Sequence, residues 1–317
     1  MIAQQGEIGK VQHCRLPERQ GSANRYTRAR SKTPRGRPMS ARTSHYLSVA
    51  GHEIHVSEWG DKDAPALVMW HGLARTGRDF DIAAAHFADR YRVICPDTIG
   101  RGLSSWSNNP DTDYTVPVYC TIALGLLDQL GVQNCAWVGT SMGGLIGMAL
   151  AGSDMGRDRI TKLVVNDIGP VLNAEAINRI KAYVSMVPEF TTMVEFEKFL
   201  RVVYAPFGQL SDAEWRSMAE TSVRRRDNGK LSSHFDPAVM RVFCEQFDGS
   251  DAWALWDAIT CPTLVLRGES SDLILAETAE EMTGRGPKPK LITVPGCGHA
   301  PALNTPAQLG ILNEFLL

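Results

Sequence analysis

The sequence predicts an α/β protein: a mostly parallel central sheet with helices on both faces and a helical cap inserted before the last strands. Three observations carry this. Short apolar runs alternate with helix-length segments from about residue 45 to the end, and that rhythm lapses between about 169 and 252. One glycine-flanked serine also stands where a strand pattern gives way to a helix. A chain of 317 residues can bury a large core, as one sizeable domain with an insertion or as two smaller ones.

The elements follow in order. Tyr46 to Val49 and His52 to Trp59 read as two strands joined at Ala50-Gly51. Ala66 to Trp70 is an apolar run of the kind found in strands buried on both faces. A helix from about Asp79 to Ala88, a strand from Tyr91 to Cys95 and a helix from about Val118 to Leu130 come next. Cys135-Ala136-Trp137-Val138 is an apolar strand, Met142 to Ala151 a helix, and Ile160 to Val165 a strand. After the interruption the alternation resumes with a strand at Thr263 to Leu266, a helix near Ala276 to Met282 and a strand at Lys290 to Val294. Asn304 or Thr305 caps a last helix that has Pro306 in its first turn.

The interruption lacks clear strands. Apolar residues recur at helical spacing in Ile177, Ile180, Val184 and in Phe196, Phe199, Leu200, Val203, with Met186, Phe190, Met193, Tyr204, Phe207, Trp215 and Met218 nearby. These side chains either fill the insertion's own core or present an apolar underside to a ligand, and both uses are compatible. The expected division is a basic disordered tail over 1–44, a catalytic core over 45–168 and 253–317, and a helical cap over 169–252.

The tail is set apart by charge. Met1 to Ser44 carries ten Lys or Arg against two acids, and the rest of the chain 23 against 33. It is poor in large apolar residues and holds Pro34 and Pro38, so it cannot bury enough surface to fold alone. A disordered tail, a transit-like targeting peptide and a start codon placed too early (with Met39 as the true start) remain open.

Composition excludes several classes. The net charge of −2 gives no field to recruit nucleic acid or an anionic membrane. No apolar run approaches the roughly 20 residues of a membrane span, and the opening residues lack a secretory core. Seven cysteines without CxxC pairs suit reduced, buried thiols and a cytoplasmic protein. Neither HExxH nor GxxxxGK[ST] occurs, so no metal or other cofactor is expected. Arg224-Arg225-Arg226 reads as a solvated helix face, with steering of an anionic substrate as the sharper alternative. The oligomeric state is not legible.

The chemistry sits in Gly139-Thr140-Ser141-Met142-Gly143, a G-x-S-x-G pattern directly after an apolar strand and directly before a helix. In that context the serine occupies a sharp turn that exposes its hydroxyl above the sheet. The helix N-terminus beneath it favours a developing oxyanion. His71-Gly72-Leu73 follows the strand Ala66 to Trp70, and Asp97-Thr98-Ile99-Gly100-Arg101-Gly102-Leu103-Ser104 follows the strand Tyr91 to Cys95.

With Gly144 and Gly298-His299, these motifs resemble the α/β-hydrolase fold superfamily, in its serine esterase or lipase-like branch with a helical cap. The motifs span 71 to 299, and the fold would cover about 45 to 317. The resemblance implies that Ser141 is a nucleophile and that the backbone N–H groups of Leu73 and Met142 form an oxyanion hole. It also implies the chain order serine, acid, histidine. Only His234 and His299 follow Ser141, and His299 fits as general base, in a glycine-rich loop after the strand Lys290 to Val294. The resemblance places the orienting acid after the strand Thr263 to Leu266, which selects Asp272; Glu269 in the same loop and Asp167 after Ile160 to Val165 are the alternatives. His71, Asp97, Arg101 and Ser104 are expected to brace loops rather than touch substrate.

The expected activity is hydrolysis of a small-molecule ester through an acyl-enzyme on Ser141. A lactone, or a carbon–carbon bond in a diketone, is the alternative for the same triad. A non-catalytic ligand-binding protein on the same scaffold is the alternative of another class.

Overall fold

The computed structural model describes residues 41–184, 188–246, 249 and 251–317. Most of the basic tail, and Met39 and Met186, lie outside these residues.

The described residues form ten strands: β1 (Thr43–Val49), β2 (His52–Trp59), β3 (Ala66–Trp70), β4 (Arg92–Pro96), β5 (Cys135–Thr140), β6 (Ile160–Asn166), β7 (Val223–Arg225), β8 (Leu231–Ser233), β9 (Thr263–Gly268) and β10 (Lys290–Val294). Eight form one sheet in the order β1-β2-β4-β3-β5-β6-β9-β10. From β4 to β10 every neighbouring pair is parallel. The first two strands form an antiparallel hairpin whose second strand pairs with β4. Its turn is Ala50-Gly51, both at positive φ (50° and 81°), the twist-matched geometry of a two-residue hairpin loop.

Parallel strands must be covered on both faces, and side-chain alternation shows how. Val68, Trp70, Trp137, Val165 and Val265 face one hydrophobic core; Leu67, Met69, Ala136, Val138, Val164, Leu264 and Leu266 face the other. That two-sided burial is why the strands read as unbroken apolar runs. Trp70 and Trp137 stack at 5.2 Å between ring centroids on the first face. The helix Met142–Ala151 follows β5, and the chain ends in the helix Pro306–Leu316, capped by Thr305 through its hydroxyl to the Gln308 N–H.

The structure amends the expected elements at several points. β1 begins at Thr43, inside the segment the sequence assigns to the tail. The helix expected from Asp79 begins at Asp81, after a 3₁₀ turn over Gly77–Phe80 that Thr76 caps. The insertion between β6 and β9 holds helices at Ala174–Val184, Met193–Val203, Asp212–Ser222 and Pro237–Gln246, but also the small antiparallel hairpin β7–β8. Arg224 and Arg225 therefore lie on β7, with Arg226 just past its end, and not on a helix. Asp227-Asn228-Gly229-Lys230 is its turn, with Gly229 at a φ of 81°. Arg224 lies over the Trp106 ring at 4.3 Å.

Candidate active site

Three parallel strands end side by side at one edge: Trp70 of β3 pairs with Gly139 of β5, and Thr140 of β5 with Asn166 of β6. The loop after each contributes to the site.

Ser141 occupies the bend between β5 and its helix, with φ 51° and ψ −117°. Side chains other than glycine rarely adopt such backbone, which costs of order 1–3 kcal/mol and is maintained only where surrounding structure compels it. Close packing does so here. A Cβ on Gly139 would lie 2.2 Å from the Gly143 carbonyl oxygen, and one on Gly143 would lie 2.0 Å from that of Trp70. Both glycines are thus required by contact, and the bend they permit lifts the serine hydroxyl out of the sheet. Ser141 N–H donates to Asn166 O at 2.9 Å, tying the bend to β6.

His299 lies on the loop after β10, and its Nε2 stands 3.0 Å from Ser141 Oγ. Its Nδ1 donates to Asp167 Oδ2 at 2.7 Å. With the ring proton on Nδ1, Nε2 is free to accept the serine proton. Asn166 braces the same loop, its amide donating to Thr140 Oγ1 and Pro301 O at 2.9 Å each.

The carboxylate at the histidine is therefore Asp167, not Asp272. Asp167 directly follows β6, has a φ of 56° and is fully buried. Three donors offset that burial: Gly268 N–H to Oδ1, and Ser271 Oγ–H and His299 Nδ1–H to Oδ2, each at 2.7 Å. The expectation of Asp272 fails through the shape of the loop after β9. There Ser271 N–H donates to Gly268 O, and this turn aims the Ser271 hydroxyl, one residue early, at the carboxylate. Asp272 receives the Asn173 amide on its backbone carbonyl. Glu269 is exposed and accepts the Gly296 N–H at 2.9 Å.

Leu73 and Met142 both line the cavity that holds Ser141 and His299. Met142 is the first residue of its helix, so its N–H has no partner within the helix. The loop carrying Leu73 runs close by: a Cβ on Gly72 would sit 3.5 Å from that of Ser141. His71 braces this loop. Its Nε2 accepts the Thr98 N–H at 2.9 Å, so its Nδ1 carries the proton and donates to Gly72 O at 2.7 Å. Asp97, also buried, gathers the N–H groups of Gly77 and Leu103 and the ring of His55. Ser104 Oγ–H donates to Asp97 O at 2.6 Å. His234, on the insertion, accepts the Gly102 N–H on Nδ1 at 2.7 Å and does not line the cavity that holds Ser141.

Burial pushes His71 down to about 4 and His234 down to about 3, from an ordinary value of 6.5. Both are neutral in the folded protein at pH 7, whereas the unfolded chain binds protons at these rings near 6.5. Their contribution to stability is full above about 6.5 and lost as pH falls toward the folded values. Two such groups give a slope of up to about 2.7 kcal/mol per pH unit below roughly pH 5.5. Urea denaturation at stepped pH measures it, and His234→Gln is expected to remove about half of that slope.

Cys297, two residues before His299, is the nearest rival nucleophile in sequence. Burial pushes its thiol up to about 11, and it donates to Val294 O. The thiolate that would be reactive is absent at neutral pH. Cys95, Cys120, Cys135, Cys244 and Cys261 are likewise unbridged.

The cavity over Ser141 encloses about 830 Å³. Leu145, Ile168 and Leu273 line it from the core, and Leu172, Ile177, Val203, Tyr204, Phe207, Met218, Val239 and Met240 from the insertion. Phe196, Leu200 and Ala219 instead form the insertion's own small core, with Phe190, Met193 and Phe199 against it. Both uses of the apolar residues thus occur. Its cations are paired: Arg75 with Asp79, Arg78 with Asp81. Arg224 is not on the lining, so the basic run does not reach the site. Among the described residues, no helix is long and apolar enough to cross a membrane.

Residues 67–309 match the Alpha/beta hydrolase family. The 3-hydroxybutyrate-oligomer hydrolase of Cupriavidus necator is 40% identical over 280 residues, covering 85% of this chain and 94% of that protein. The 2-(acetamidomethylene)succinate hydrolase of Mesorhizobium japonicum is 27% identical over 262 residues, 81% of this chain and 90% of that one. A crystal structure of an alpha/beta hydrolase from Novosphingobium aromaticivorans superposes with a TM-score of 0.78 and 31% identity, covering 88% of this chain and 99% of that one. A strand order, a strained serine bend and a family match that agree along the chain leave one conclusion: this chain belongs to the alpha/beta hydrolase family and is a hydrolase.

Proposed function

We propose that the protein hydrolyses short esters of small hydroxy acids, linear oligomers of 3-hydroxybutyrate among them, through an acyl-enzyme on Ser141. The single observation that carries the mechanism is the unbroken hydrogen-bond line Ser141 Oγ–His299 Nε2 and His299 Nδ1–Asp167 Oδ2, at 3.0 and 2.7 Å. Ser141 attacks the ester carbonyl while His299 takes its proton and Asp167 stabilises the resulting imidazolium. The N–H groups of Leu73 and Met142 receive the oxyanion, each such donor typically being worth ~3 kcal/mol. His299 then protonates the leaving alcohol, and water releases the acid by the same steps in reverse.

The substrate class rests on the 40% identity to the Cupriavidus necator enzyme across most of both chains. The cavity suits it: about 830 Å³ lies within the roughly 300–1,000 Å³ of small-molecule sites, and the lining is mostly apolar. Six unbridged cysteines support a cytoplasmic enzyme. The test incubates the protein with linear 3-hydroxybutyrate dimer and trimer, and with p-nitrophenyl esters from acetyl to palmitoyl. Release of free 3-hydroxybutyrate, absent with Ser141→Ala, is the expected result. Turnover of the nitrophenyl esters with no release from dimer or trimer would remove the substrate class and leave the mechanism. Failure of a fluorophosphonate to label the folded protein would remove the mechanism.

A further inference from the structure

Arg101 is fully buried, and all its hydrogen bonds end on uncharged acceptors. Nε donates to Leu73 O at 2.9 Å, Nη1 to Ile99 O and Tyr119 Oη at 2.8 Å each, and Nη2 to Met142 Sδ at 3.5 Å. The rings of Tyr119 and Tyr114 lie 5.1 and 5.7 Å from its guanidinium carbon. Among the described residues it forms no ion pair. The other buried arginine at the site differs: Arg75 holds Asp79 with two nitrogens. The acids near Arg101 are engaged elsewhere. Asp97 holds His55, Gly77 and Leu103, and Asp236 holds the Tyr114 hydroxyl and the Ala238 N–H.

A buried cation that touches no carboxylate is costly, and uncharged acceptors with two tyrosine rings offset only part of that cost. Its two contacts on the site side are Leu73 and Met142. We infer that Arg101 is a positioning residue of the oxyanion hole: it fixes the segments bearing both N–H donors and holds behind them a positive charge in contact with no described carboxylate, available to the anion formed during reaction. This rests on the acyl-enzyme reading above. As the Ser141 Oγ–carbon bond forms, the serine proton passes to His299 and the carbonyl electron pair moves onto oxygen. Arg101 keeps all its protons and makes no bond to substrate. Preorganised charge of this kind needs no rearrangement as the transition state develops.

The experiment compares Arg101→Lys, which keeps the charge, with Arg101→Gln, which keeps a donor and loses it. The probes are an alkyl trifluoromethyl ketone, which adds to the serine as an anionic hemiketal, and the matching neutral secondary alcohol. With Arg101→Gln the ketone's Ki is expected to rise at least tenfold and the alcohol's to stay within about twofold. The kcat on p-nitrophenyl butyrate falls while KM holds, and Arg101→Lys recovers most of the loss. Equal weakening of ketone and alcohol in both variants, or wild-type ketone affinity in Arg101→Gln, overturns the inference. If the glutamine variant does not fold, Arg101→Met, which removes the burial cost together with the charge, is read in its place. Failure of the unmodified protein to react with fluorophosphonate overturns the acyl-enzyme reading itself, and is thereby distinguished.

Discussion

Replacing Ser141 by alanine is expected to lower kcat by about 10⁶-fold, because nucleophile and base act as one unit and the loss of either removes the covalent route. The nearest rival nucleophile in sequence does not take its place, since the Cys297 thiol is buried and protonated. What remains should be the roughly 10³-fold advantage over water that an oxyanion hole and binding supply without a triad. Stability should hardly change, since among the described residues the Ser141 hydroxyl bonds to His299 alone. Ser141→Gly sharpens the point. With φ at 51°, glycine relieves backbone strain that serine endures, so this variant should be equally inactive yet more stable by roughly 1 kcal/mol. Single-turnover kinetics and denaturant titration check the two halves, and loss of stability in both variants would mean that the hydroxyl is structural.

The second large effect separates Asp167 from Asp272. Asp167→Asn is expected to cost about 10⁴-fold in kcat with KM little changed. The new amide would face both the Ser271 hydroxyl and His299 Nδ1 where two bonds are now accepted, and it would favour the tautomer with Nε2 protonated, which cannot take the serine proton. Asparagine tolerates the positive φ of 56°, so folding should survive. Asp272→Asn should stay within about threefold of the parent, a margin set against the ~10⁴ of the other variant. Steady-state kinetics on one ester decide it. Near-normal turnover of Asp167→Asn, or a collapse of Asp272→Asn, would reverse the assignment.

Much of the site was legible because its signals are local. Ser141 is marked by glycines that the bend needs on both sides, and those glycines are separated from it by a residue or two. His299 is marked by its place after the last strand and by the scarcity of later histidines. Asp167 carried no such mark. An acid directly after a strand is common, and β6 and β9 are adjacent and end at the same edge, so either loop could deliver a carboxylate. The β7–β8 hairpin was missed for a similar reason. Three-residue strands are too short to show alternation, and three successive arginines hid the turn at Asn228-Gly229.

The sequence by itself determined the alternation of strands and helices, the bend at Ser141 and the histidine that follows the sheet, since each depends on residues near one another in the chain. Only the tertiary structure decided which carboxylate meets the histidine, which insertion side chains face the cavity, and that Arg101 is buried with no ion pair among the described residues. Those depend on how loops over a hundred residues apart converge, where a shift of one residue, from Asp272 to Ser271, exchanges the charge at an atom for a hydroxyl.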